Sequence, residues 1–150
     1  MHRIVFLLLL GASCALAEKN EPATVDAPYD KVFDPWRACT AAEGLAKRGA
    51  PDALRTCFLA AYVRLSQPFL GGEDLETIHR VFQEVLPAVG DEKFCRALER
   101  QRPEIRSAVA HFLSGFSKIW DFPRTRKLLR AAPQIDWPLD QAYRNDREKI

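Results

Sequence analysis

From Asp34 onward the apolar positions recur at three- and four-residue intervals, and proline or glycine interrupts the pattern wherever it would run long. No sustained run alternates apolar and polar residues, and no Asn-Gly pair marks a hairpin. The pattern predicts an all-α fold, a compact bundle of five to six short helices. Asp34-Pro35 reads as an N-cap with proline in the first turn, opening a helix to about Arg48, with Gly49 suited to the residue just beyond its end. Pro51 opens a second helix that ends before Pro68. Leu75, Ile78, Phe82, Val85 and Leu86 mark a third over 74–86 or slightly beyond, where Pro87 should end or kink it. Asp91 is placed to cap a fourth helix through Arg102. Pro103 opens the longest, with Ile105, Ala108, Val109, Phe112, Phe116, Ile119 and Trp120 on one face. Pro123 starts a short piece to about Ala132, and Trp137-Pro138 a last one in the tail.

Two of these helices belong at the centre. The second is apolar on opposite sides, Leu54, Phe58, Ala61 and Leu65 against Leu59 and Val63, and such a helix needs cover on both. The fifth carries Ser107, Ala110, Ser114 and Ser117 behind its aromatic face, small enough for another backbone to approach.

The first residues, MHRIVFLLLLGASCALAEKN, are a short basic start, an apolar run and an Ala15-Leu16-Ala17 ending. That is the layout of a cleaved secretory signal over 1–17, followed by a loose tail over 18–30 and a single helical domain over 31–150. The expected location is the bacterial periplasm or the extracellular space. Cys14 after Gly11-Ala12-Ser13 offers a lipoprotein alternative, the one route by which this chain would be held at a membrane. Export changes the reading of the cysteines, because thiols outside the reducing cytosol are usually paired. Cys39 and Cys57 flank the turn at Gly49 at matching heights on antiparallel helices, so a disulfide linking that N-terminal hairpin is expected. Cys95 is then a buried free thiol, and there is no C-x-x-C for redox chemistry.

Catalytic patterns are sparse: no G-x-S-x-G, H-E-x-x-H, phosphate-binding loop or dinucleotide glycine motif occurs. Glu76 and His79 form one E-x-x-H, with His111 the remaining histidine of the mature chain, and both histidines fall at the flanks of their helices. No cofactor or metal is expected. Charge says more. The chain's formal net charge is only +2, yet residues 18–92 hold eight Lys and Arg against thirteen Asp and Glu, while 93–130 hold ten against three. Arg96, Arg100, Arg102 and Arg106, then Arg124, Arg126, Lys127 and Arg130, crowd the basic half.

Two readings follow, a basic face for an acidic partner or two halves that neutralise one another internally. The aromatic residues at the helix junctions, Trp120 and Trp137, read as plugs for the ends of the bundle, with anchoring of a partner as the alternative. The function expected is an exported, non-catalytic binding protein with Arg96, Arg100, Arg124, Arg126, Lys127 and Arg130 as its contact residues. The alternatives are a carrier of a small apolar ligand, or a hydrolase or metal-dependent enzyme using Glu76 and His79. Nucleic acid is excluded as a partner by export and by the lack of aromatics interleaved with the arginines.

Overall fold

Residues 34–68 and 72–148 are described by the computed structural model. The signal over 1–17, the tail over 18–30 and Cys14 lie outside the described residues.

The described chain is all helical, with seven α-helices where five or six were expected: α1 (Pro35–Lys47), α2 (Pro51–Leu65), α3 (Gly72–Val89), α4 (Asp91–Glu99), α5 (Pro103–Leu113), α6 (Pro123–Arg130) and α7 (Pro138–Arg147). A 3-10 turn spans Ser117–Asp121. Proline stands at the first position of α1, α2, α5, α6 and α7, where its missing N–H has no intrahelical partner to lose. Asp34 caps α1 by accepting from the Arg37 N–H at 3.4 Å. Gly49 takes φ +78° between α1 and α2 and Gly90 takes φ +86° between α3 and α4, a region a Cβ would strain.

α2 lies in the middle and packs against α1, α3, α4, α5 and α7. Both of its apolar sides are covered, with Leu54, Phe58, Ala61 and Leu65 buried and Val63 only 8% exposed. Phe58, Phe82 and Phe94 meet ring to ring at 5.2 to 6.5 Å, and Phe112 joins them at 6.1 Å from Phe82, so four helices share one aromatic core. Outside it, Arg80 bonds Glu43 at 3.1 Å and Glu84 at 3.0 Å while Lys47 reaches both carboxylates, which ties α1 to α3. Arg64 is wholly buried and paired to Asp74 at the start of α3.

The expected small-residue stripe is covered only at its start: Ser107 is buried and Ala110 half-buried, while Ser114 and Ser117 lie beyond the end of α5 and are exposed. The Ser107 hydroxyl donates to the Pro133 carbonyl at 2.6 Å, and residues 132–135 line a small cavity together with Ser107, Ala110 and Ser114.

Four expectations are corrected. The hairpin of α1 and α2 is present, but Cys39, Cys57 and Cys95 are free thiols and no disulfide links it. The Cys39 and Cys57 side chains stand against each other, the Cys57 thiol 3.9 Å from the Cys39 carbonyl, and this contact followed by burial pushes the Cys39 thiol up. α3 runs through Pro87 to Val89, because Pro87 sits in the last turn on the exposed side, where water can take the carbonyl it leaves unbonded. The helix from Pro103 ends at Leu113, since Ser114-Gly115 breaks it, and α3 is the longest. Asp91 does not cap its own helix. Gly90 occupies that position, and the Asp91 carboxylate serves α6 instead.

Candidate functional site

α6 is too short to hold its position alone, and its entry is fixed from outside. The Arg124 and Thr125 N–H groups both donate to the Asp91 carboxylate, at 2.9 and 2.8 Å, so the first turn of α6 is capped by a side chain of α4. Burial pulls the Asp91 carboxyl up, but the two backbone N–H groups and the nearby Arg124 outweigh it and hold the group below the usual aspartate value. Thr125 is wholly buried, and Leu128 and Leu129 pack against the core. At about 3.6 residues per turn this leaves Arg126, Arg130, Lys127 and Arg124 side by side around the outer surface of α6, with no acidic residue among them.

The six residues expected to form a basic site are thereby sorted into three places. Arg124 and Lys127 meet Arg96 of α4 around a groove of about 400 Å³ that Glu92, Glu99 and Cys95 also line. Glu92 holds Arg96 at 2.6 Å and reaches Arg124 at 3.9 Å. Arg126 and Arg130 turn the other way, their guanidinium carbons 4.0 and 5.6 Å from the centre of the Trp120 ring. Arg100 faces neither of these groups. It lines a separate groove of about 250 Å³ with Arg55, Lys93 and Arg96.

Among the described residues, few of the basic side chains between 93 and 130 are paired with a carboxylate. Of the ten Lys and Arg between 93 and 130, only Arg96, Arg102 and Arg124 have a carboxylate within 4.0 Å among the described residues. The other seven, Lys93, Arg100, Arg106, Lys118, Arg126, Lys127 and Arg130, have none there, and they keep its surface positive.

Trp120 is the residue that pattern reading placed wrongly. It does not plug the bundle: it is 65% exposed, whereas Trp137 at 4% does fill a core position against Tyr62. Its helical spacing from Phe112 and Phe116 suggested burial, but the 3-10 turn after Gly115 rotates it outward. The WDFP stretch between two basic segments was the available signal.

Cys95 is 6% exposed at the floor of the groove between α4 and α6, and burial, then the Glu99 carboxylate, push its thiol up to about 11. That is the reverse of an activated nucleophile.

Glu76, His79 and His111 do come together, around a cleft of about 370 Å³ that Leu75, Arg80, Gln83 and Phe112 complete. His79 contacts Gln83 through Nε2, and His111 Nδ1 stands 3.8 Å from the Asp140 carboxylate. Among the described residues no three His, Cys, Asp or Glu side chains are arranged to hold a metal ion, and no helix is long and apolar enough to cross a membrane.

No known protein family, curated protein or solved structure matches the chain.

Proposed function

We propose that this is an exported, non-catalytic binding protein that docks onto an acidic protein through the outer face of α6. One observation carries the reading: Arg124, Arg126, Lys127 and Arg130 cover the solvent side of a helix whose other side is packed, and just one of the four has a carboxylate within 4.0 Å among the described residues. A helix held by its apolar side and capped from a neighbour presents those charges at fixed spacing, which favours association with a surface of opposite sign. Arg96 extends the face across the groove to α4, and Arg100 stands apart from it.

Affinity capture with the full chain tests this. The wild type should retain an acidic protein from the exported fraction, and Arg124→Glu, Arg126→Glu and Arg130→Glu combined should lose it without a fall in melting temperature. A folded triple variant that keeps the partner refutes the reading.

A second reading draws on the shared cleft of Glu76, His79 and His111. Two histidines and a carboxylate around one opening fit general acid–base chemistry, and substitution of His79 and His111 by Gln would abolish any hydrolytic activity located there.

A further inference from the structure

We infer that Trp120 is the anchor of the α6 face, and that the partner meets it with an acidic segment carrying an apolar side chain. This rests on the docking proposed above and adds its central contact. Trp120 leaves 65% of its surface in water, the most exposed of the chain's large apolar side chains among the described residues, and it does so beside the most basic helix. Arg126 lies over the ring at 4.0 Å and Arg130 at 5.6 Å. A guanidinium stacked on an indole keeps its N–H groups in plane and pointing outward, free for carboxylates. The same stacking holds the ring in place before any partner arrives, so little rotamer freedom is lost on binding. Tryptophan and arginine packed together are the composition of interface hot spots.

The occupant must therefore offer negative charge and one apolar group at the same place. A bilayer of anionic lipid offers both, but α6 has no apolar side to insert: Leu128 and Leu129 pack against the core, and Trp120 is a single ring. A helix that lies in a membrane interface needs a whole apolar side directed outward. An acidic protein segment with a leucine or aromatic side chain needs only what Trp120 provides.

The test uses the full chain and two synthetic peptides, one of alternating glutamate and glycine, the other identical except for a single glycine replaced by leucine. At low salt the leucine peptide should bind about three- to tenfold tighter. Trp120→Ala should erase that difference, so that the two peptides bind the variant alike, Trp120→Phe should retain part of it, and Arg126→Glu with Arg130→Glu should weaken both peptides. Equal binding of the two peptides to wild type and to Trp120→Ala overturns the anchor and leaves the docking proposal standing. If neither peptide binds, both fall. Tight binding to phosphatidylglycerol vesicles, lost in Trp120→Ala and unmatched by either peptide, overturns the protein partner in favour of a bilayer.

Discussion

Replacing Asp91 by alanine removes the one side chain that caps α6 from α4. The carboxylate accepts two backbone N–H bonds, at 2.8 and 2.9 Å, from the first turn of a helix only eight residues long. An N-terminal capping interaction is worth about 1 kcal/mol and up to 2 when its geometry is good, and hydrogen bonds to a charged group run to about 1.5–3 kcal/mol each in buried settings. Asp91 is partly exposed, so water replaces some of what is lost, and the balance is about 2 kcal/mol. In a domain of this size that lowers the melting temperature by roughly 8 °C. Asp91→Asn keeps an acceptor oxygen without the charge and should lose about half as much.

The pH dependence follows from the direction of the shift. The Asp91 carboxyl is depressed in the folded protein, so its contribution is fully present above the unfolded aspartate value and fades as pH falls through the lower folded value. Urea unfolding of wild type and both variants at neutral pH and near pH 3 measures each of these differences. Asp91→Ala matching wild type within a few tenths of a kcal/mol at neutral pH, or a gap that persists undiminished well below pH 3, would refute the capping role.

Three other outcomes are expected. Phe82→Ala should cost about 3–5 kcal/mol, read from denaturant unfolding, because its ring touches Phe58, Phe94 and Phe112 with no exposure. Glu43, pushed down to about 2 chiefly by the Arg80 hydrogen bonds, stabilises the α1–α3 contact above the unfolded glutamate value; that stability is lost as pH falls from about 4.5 to 2, and Glu43→Gln should flatten the acid limb of the stability curve. Cys95, pushed up to about 11, should alkylate far more slowly at pH 8 than a free cysteine and accelerate only as pH approaches 11, followed by mass spectrometry on folded protein.

Much of the backbone was legible because the punctuation is local. A proline at the first helical position fixes its own φ, and five helices begin where one stands. The two-sided apolar pattern of α2 likewise led straight to its central position. What escaped depended on direction or distance. Phe116, Ile119 and Trp120 keep helical spacing past Leu113, so spacing alone could not reveal the break at Ser114-Gly115 that turns Trp120 outward. Asp91 reads as the cap of the helix beside it, while its real partners, Arg124 and Thr125, are more than thirty residues away. The basic residues were found as a composition, but which way each points is set by packing: Thr125, Leu128 and Leu129 orient α6, and Arg100 is carried to another groove. His79 and His111 were placed at helix flanks, but their meeting at one cleft required the packing of α3 against α5.

The most direct measurement is the affinity of the full chain for its captured acidic protein as ionic strength rises. Attraction between the α6 face and that partner should weaken steeply between low and physiological salt, where the screening length shortens to about 8 Å, and the Arg124→Glu, Arg126→Glu, Arg130→Glu variant should bind at no salt concentration. Affinity that is indifferent to salt, or a folded variant that binds as tightly as wild type, would contradict the account.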